Sequence, residues 1–414
     1  MGKRWSRKNK NRGGKKDNNG KKTNSRGRQW KDPGEFQGWV YSSPAFEAYY
    51  KAQEIVPPEE WDSFMKVLQE PLPACFRVNL DCPFKEKLRE ELHSFAKQIE
   101  TEEGMSIDAI TKLEWYPYDD CYQLGCDRRL IRKSKDLTGL KEWLMAHTNG
   151  GHITRQEAVS MVPPCFLDVQ PHHKVLDMCA SPGSKTCQIL ELLHRSSPQS
   201  ISDEKRQPNQ GDNGGPGHNQ GFAMMPEGVC VANDVDSDRA YMLVHQCKRI
   251  ASPALMVTCC AAQNFPSPSV GPGAAPEEGE ARDAGVFDRV LADVPCGGDG
   301  TLRKQPSIWR TWTTQSGLAL HPLQLQIALR GAALVKVGGR LVYSTCSLSP
   351  AEDEAVVCAL LRRARGALRL ADVGAELPGL RRRPGLHTWK VIEDNGRVGQ
   401  RQHGSKKRPK EGGG

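Results

Sequence analysis

Five short apolar runs near residues 174–178, 229–234, 254–260, 287–293 and 340–345 constrain this 414-residue chain most. Helical stretches near 186–195, 237–250, 314–337 and 351–363 separate them. Strand, helix and strand in alternation predict parallel strands joined by crossover helices, hence an α/β, doubly wound sheet. Runs apolar throughout predict strands covered on both faces. In such open sheets the carboxyl ends of the strands face the ligand crevice. Two of those ends lead directly into cysteines, Cys296 in Asp293-Val-Pro-Cys-Gly-Gly-Asp-Gly and Cys346 in Tyr343-Ser-Thr-Cys-Ser-Leu. Both thiols are therefore expected to point into one site.

A third segment, His173-Lys-Val-Leu-Asp-Met-Cys-Ala-Ser-Pro-Gly-Ser-Lys185, reads as a strand, a tight turn with one glycine, and a helix from about Thr186. That layout brings backbone N–H groups and a helix start to a nucleotide-like ligand. It is neither Gly-x-Gly-x-x-Gly nor a Walker loop. One strand later, Val229-Cys-Val-Ala-Asn-Asp-Val-Asp ends in carboxylates, with Asp234 placed to accept from ribose hydroxyls.

In chain order, Asp177-Met-Cys-Ala-Ser-Pro-Gly-Ser-Lys-Thr, Asn233-Asp-Val-Asp, Asp293-Val-Pro-Cys and Ser344-Thr-Cys-Ser closely resemble the RNA (cytosine-5) methyltransferases of the Nop/Sun family. Arg155-Gln-Glu-Ala, Ser160-Met-Val-Pro-Pro, Trp61, Pro71-Leu-Pro and Trp115-Tyr-Pro extend the resemblance across roughly residues 40 to 390, most like the multisite eukaryotic tRNA members. The resemblance implies a Rossmann-like, S-adenosylmethionine-dependent methyltransferase sheet beside a smaller N-terminal α+β RNA-binding lobe. It implies that Cys346 is the nucleophile, that Cys296 assists release, that Asp293 bonds the cytosine edge, and that Lys185 acts beside the nucleophile. It places the cofactor on Cys179, Ala180, Ser181, Pro182, Gly183, Ser184, Lys185, Asp234, Arg239 and Asp293.

The chemistry accounts for two thiols. Cytosine C5 is a poor nucleophile, and a thiolate adding at C6 turns it into an enamine that can attack a methyl sulfonium. Afterwards the C5 proton must leave and the C6–S bond must break, a step a second thiol can assist. A DNA cytosine-5 methyltransferase runs the same reaction with the Pro-Cys thiol as nucleophile, so a second motif thiol at Cys346 argues for RNA. An RNA-binding or ribosome-assembly protein that keeps the fold without catalysis is the alternative from another class. Among the fourteen cysteines, the thiols of Cys179, Cys230, Cys259 and Cys358 are assigned to packing. With no Cys-x-x-Cys spacing, no metal site is expected. Nothing pairs either motif thiol with a specific His and Asn, as a cysteine peptidase would need.

Charge is concentrated at the ends. Residues 1–31 hold thirteen Lys or Arg against the single acid Asp17, a charge of +12 where the whole chain carries +9. A Gly/Asn-rich basic arm of this kind buries too little apolar surface to fold, so residues 1–38 are expected to be disordered, with Trp5 and Trp30 available to stack on bases. It is expected to attract phosphates and to direct the protein to the nucleus, the nucleolus foremost, with the cytoplasm as a second location. Residues 39–150 are read as the RNA-binding lobe, with Arg77, Arg128, Arg129, Arg132, Lys133, Lys135, Trp115, Tyr116 and Tyr118 along the RNA path. Residues 151–390 are read as the catalytic domain, interrupted by flexible insertions at 196–221 and 266–285, and 391–414 as a disordered basic tail. No run is apolar enough to span a bilayer and no signal peptide is evident, so the partners expected are RNA, tRNA above all, with no membrane, and a monomer.

Two positions depart from the family pattern. An aspartate that accepts from the adenine amino group is replaced by Ala261, in Thr258-Cys-Cys-Ala-Ala. A further hairpin that completes the family's sheet is not supplied after Trp389-Lys-Val-Ile, so a C-terminally truncated form is expected.

Overall fold

The computed structural model describes residues 15–16, 22–23, 41–80, 82–98, 110–118, 120–195, 226–267 and 285–392. By compactness the chain divides into Met1–Tyr41 and Ser42–Gly414. Of the expected basic arm, only the antiparallel pair Lys15–Lys16 and Lys22–Thr23 is described. The expected insertions, apart from residues 266, 267 and 285, and the tail beyond residue 392 lie outside the described residues.

Within the second unit, the lobe is built on four antiparallel strands, β1 (Pro73–Val78), β2 (Ile110–Lys112), β3 (Cys121–Asp127) and β4 (Ile153–Arg155), in the order β2-β3-β1-β4. The helices in this stretch are α1 (Pro44–Gln53), whose aromatic side chains meet Trp309 and Trp312 beyond the lobe, α2 (Trp61–Gln69), α3 (Lys85–Gln98), α4 (Arg128–Lys133) and α5 (Thr138–Asn149). α3 is charged on most of its surface, but Leu88 and Leu92, four residues apart, share one face. That stripe packs with Leu140, Trp143 and Leu144 of α5 onto Phe76, Val78, Leu124 and Ile153 of the sheet. Asp127 caps α4, its carboxylate accepting from Arg129 N and Leu130 N. β4 lies past the expected boundary at residue 150, yet it pairs with β1 through Phe76↔Arg155 and Val78↔Ile153, so the lobe's sheet extends to Arg155.

After α6 (Val162–Phe166) come five strands, all parallel: β5 (Lys174–Asp177), β6 (Val229–Asp234), β7 (Leu255–Cys259), β8 (Phe287–Asp293) and β9 (Val335–Ser344), in the order β9-β8-β5-β6-β7. The chain runs outward from β5 to β7 and then returns to start again at β8 on the other side of β5. The crevice therefore opens between the ends of β5 and β8. Alternate residues face opposite sides. Val175, Cys230, Ala232 and Leu291 pack under α7 (Ser184–His194) and α8 (Ser237–Cys247), while Leu176, Val231, Val290 and Ala292 meet Ile327 and Leu334 of α10 (Thr314–Leu334). The short α9 (Ile308–Thr311) precedes α10, and α11 (Glu354–Ala364) follows β9. β9 starts at Val335, earlier than the run at 340–345 suggested, because α10 ends at Leu334 and Val335 is already extended and paired with Phe287. Among the described residues β9 pairs with β8 alone.

Lobe and sheet are joined by a buried ion pair that corrects one expectation. Arg77 of β1, expected on the RNA path, is 1% exposed and grips Glu191 of α7 with both terminal nitrogens, one bond at 3.1 Å. Its Nε donates to Gln156 Oε1 at 3.1 Å. Burial opposes its charge, but the Glu191 carboxylate outweighs that and holds the guanidinium above its ordinary pKa. Tyr116 is corrected likewise, buried with Cys121, Met161, Cys165 and Leu377, and Tyr118 lies half-buried beneath Arg195, 5.5 Å from its ring centre.

Candidate active site

The loop after β5 is tied to both neighbouring strands: Met178 N donates to Leu291 O at 2.9 Å and Ala180 N to Asn233 O at 2.7 Å. It closes at Gly183, whose φ is +109° and where a Cβ would meet Leu243 Cδ1 at 2.9 Å, so only glycine fits. α7 then starts at Ser184, two residues ahead of expectation. Asp177, at the end of β5, accepts from Thr186 Oγ1 at 2.7 Å, and its Oδ1 is buried with no described partner. Burial, with the Asp293 charge adding to it, pushes its carboxyl up to about 7.

At the end of β6, Asp234 is buried. Its Oδ2 accepts from Ser181 N at 3.3 Å, its Oδ1 from Asp236 N at 3.1 Å, and Arg239 Nη2 sits 3.4 Å away while donating to Ser181 O at 3.0 Å. Asp234 and Arg239 therefore fasten the loop to β6, with acceptor capacity left on Oδ1. Ala261 follows β7 at the start of a single turn over Ala262–Asn264. A cleft of about 400 Å³ is lined by Cys179, Ala180, Ser181, Pro182, Ser184, Lys185, Asp177 and Asp293, and from the lobe by Arg128 and Arg155. Gly183, Asp234 and Arg239 are not part of that lining. Strand-end carboxylates, one with an unpartnered oxygen, suit a ligand bearing positive charge and hydroxyls.

The two motif cysteines converge. Cys296 Sγ and Cys346 Sγ lie 3.2 Å apart, and Cys346 N donates to Cys296 Sγ at 3.3 Å. The hydrogen bond from the Cys296 thiol stabilises a Cys346 thiolate and lowers its pKa, overcoming burial, with Lys185 assisting and Asp293 opposing. The same bond, together with burial, raises Cys296. Cys346 is the exposed member of the pair. Lys185 is 15% exposed and donates to Asp293 Oδ2 at 2.9 Å and Ser160 Oγ at 3.0 Å, so it is held in the site instead of being solvated at the helix start. Asp293 Oδ1 accepts from Ser344 Oγ at 2.8 Å, linking the ends of β8 and β9.

Two buried carboxylates hold the cysteine loops together, and sequence reasoning missed both. Glu352 Oε1 accepts from Gly297 N at 2.8 Å and Gln324 Nε2 at 2.9 Å, and its Oε2 from Ser347 Oγ at 2.5 Å. One side chain thus binds the residue after each motif cysteine. Asp299 Oδ1 accepts from Leu348 N at 2.8 Å and Ser347 Oγ at 3.1 Å; its Oδ2 takes Trp312 Nε1 at 2.9 Å and the Tyr50 hydroxyl from α1. Gly300 lets the loops touch, since its N donates to Cys346 O at 2.9 Å and a Cβ there would lie 2.8 Å from that oxygen. The available signal was a carboxylate three residues after Cys296 and another six after Cys346. Of the cysteines assigned to packing, Cys230 is buried, Cys179 and Cys358 are half-buried, and Cys259 is corrected: it is exposed at the last paired position of β7, opposite Asp234. Among the described residues no three His, Cys, Asp or Glu side chains gather as a metal would require, and no helix is long and apolar enough to cross a membrane.

The family description 16S rRNA methyltransferase RsmB/F matches residues 215–378. The chain is 43% identical over 369 residues to the multisite-specific tRNA:(cytosine-C(5))-methyltransferase trm4b of Schizosaccharomyces pombe, covering 86% of this chain and 51% of that protein. It is 41% identical over 363 residues to the multisite-specific tRNA:(cytosine-C(5))-methyltransferase of Saccharomyces cerevisiae, covering 86% and 48%. It is 42% identical over 359 residues to the tRNA (cytosine(34)-C(5))-methyltransferase of Drosophila melanogaster, covering 84% and 44%. The chain thus spans about half the length of these curated relatives. The crystal structure of PH0851 matches with a TM-score of 0.53 at 23% identity, over 80% of this chain and 59% of that one. That of NSun6 from Pyrococcus horikoshii with SFG matches with a TM-score of 0.50 at 19% identity, over 78% and 88%. The structural likenesses support the fold, the sequence likenesses carry the kinship, and residues 215–378 form a domain of the RsmB/F (Sun) methyltransferase family.

Proposed function

We propose that this chain methylates cytosine C5 in RNA, with tRNA as the substrate class and S-adenosylmethionine as the methyl donor. The observation that carries the proposal is the pair of thiols 3.2 Å apart, of which Cys346 is the one whose pKa is lowered. Cys346 adds through Sγ to C6 of cytosine, and the C5–C6 electron pair becomes nucleophilic at C5. Asp293 accepts from the cytosine amino edge and is held in place by Lys185 and Ser344. After transfer a base removes the C5 proton, the C6–S bond breaks, and the Cys296 thiol assists that release. The cofactor supplies an electrophilic methyl group on a sulfonium. The Cys179–Lys185 loop, Asp234 and Asp293 would hold it, and the strand-end carboxylates suit its positive charge. Two of the curated relatives act on tRNA at several sites, and one solved relative carries SFG, an analogue of this cofactor.

A second reading, an RNA-binding protein of the same fold with weakened cofactor affinity, is favoured by Ala261, which offers no carboxylate to the adenine. The basic first thirty-one residues support nuclear residence in either case. Bisulfite sequencing of tRNA incubated with the purified chain and cofactor separates the two. New protected cytosines that disappear with Cys346→Ala support the enzyme; their absence while tRNA binding persists supports the second reading.

A further inference from the structure

A second cavity, of about 300 Å³, opens on the lobe between α4, α5 and the sheet. Its walls are apolar: Ala74 and Phe76 from β1, Leu124 from β3, Ile131 from α4, Leu144 and Met145 from α5. Its rim carries four cations, Arg128, Arg132, Lys141 and Arg155. Cations that serve the fold have a partner, a carboxylate for Arg77 (Glu191), Arg89 (Asp120) and Arg289 (Asp168), or backbone carbonyls for Arg303. Among the described residues these four make no ion pair and no side-chain hydrogen bond. Arg155 is pressed further, since burial and the neighbouring charges of Arg128 and Arg249 all lower its pKa. Like charges gathered at an apolar opening without counter-charge destabilise the protein alone and are relieved by an external anion.

Two features indicate which anion. Apolar walls beneath a cationic rim fit a group with a flat apolar part and an attached negative charge. Arg128 and Arg155 also line the larger cleft that reaches Lys185 and Asp293, so one continuous ligand can occupy both cavities. A polymer of bases linked by phosphates meets both conditions. Specific RNA recognition commonly takes unstacked bases into such pockets.

We propose that this cavity is a subsite for an unstacked nucleotide flanking the target cytosine, its base held against Phe76, Ile131 and Leu144 and its adjoining phosphates on Arg128 and Arg155. The inference rests on the RNA reading above and adds a position to it. The test measures binding of a tRNA transcript to the full chain across a salt series, for the wild type, the double variant Arg128→Gln/Arg155→Gln, and Ala74→Phe, which fills the cavity. Thermal melting is followed in parallel to verify folding. The double variant is expected to flatten the slope of log K against log salt by about 1.4, two single-strand phosphate contacts. Ala74→Phe is expected to raise Kd by about tenfold with the slope unchanged, the scale of one lost base contact. Wild-type binding with both variants folded and unaltered would overturn the subsite alone. A wild-type chain that neither bound nor methylated RNA would remove the reading beneath it.

Discussion

Glu352 is the test of how the two thiols are held. It is 1% exposed and bonds Gly297 N, Gln324 Nε2 and Ser347 Oγ, so Glu352→Leu removes three acceptor contacts at once. The costs differ. Gly297 N–H keeps no other described partner, an orphaned half-buried donor worth about 2 kcal/mol, within the range for an unsatisfied group. Gln324 still reaches Pro295 O at 3.0 Å and Ser347 still reaches Asp299 at 3.1 Å, so each loses only one charge-assisted bond, about 1 kcal/mol net. The total is about 4 kcal/mol, a large share of a typical domain's stability. Glu352→Gln keeps the shape and one acceptor oxygen, and should cost about 1–2 kcal/mol. Urea unfolding gives both numbers. Under folding conditions, the pH profile of iodoacetamide alkylation at Cys346 reads the loops directly: the Leu variant should move its midpoint upward as Cys296 ceases to donate, and Gln should restore much of it. Stabilities of both variants within 1 kcal/mol of wild type, or an unmoved midpoint in folded Glu352→Leu, would refute the reasoning.

Cys296→Ala should raise the alkylation midpoint of Cys346, because the donor that lowers it is gone; an unchanged midpoint would mean that the Cys346 thiolate is supported elsewhere. Asp177 titrates at about 7 in the fold against 3.8 for the free side chain, so its contribution is complete below 3.8 and lost as pH rises through 7; stability should decline over that window by up to about 4 kcal/mol, and Asp177→Asn should flatten the decline in urea titrations at several pH values. Ala261→Asp should tighten cofactor binding by about 1.5–3 kcal/mol in calorimetry, the scale of a hydrogen bond to a carboxylate, and equal affinities would show that the adenine lies elsewhere.

The sheet was legible because each of its strands holds a short apolar run and ends in polar or cysteine residues, which fixes both the layer and the end at which chemistry occurs. Cys296 and Cys346 follow from that geometry, whereas Lys185 and Asp293 come only through the family resemblance. Partners distant in sequence do not. Arg77 sits in Cys75-Phe-Arg-Val, where an arginine on a short strand reads as surface, and its partner Glu191 lies 114 residues away on α7. Asp299 reads as a loop carboxylate and Glu352 as a helix-start one, because their donors lie on segments far apart in the chain, from Tyr50 to Leu348. Ser160 reads only as part of the flanking Ser160-Met-Val-Pro-Pro motif, and only the fold brings it to Lys185. The start of β9 was misjudged because Val335-Lys-Val continues the apolar character of α10, and only pairing with Phe287 distinguishes strand from helix there.

The central claim is that Cys346 attacks and Cys296 releases, and a denaturing gel of each variant incubated with tRNA and cofactor tests it most directly. Cys296→Ala should transfer one methyl group and accumulate a slower, RNA-linked band, because the C6–S bond forms and persists. Cys346→Ala and the double variant should show neither the band nor turnover. A band that accumulates in Cys346→Ala and vanishes in Cys296→Ala would reverse the roles and contradict the account.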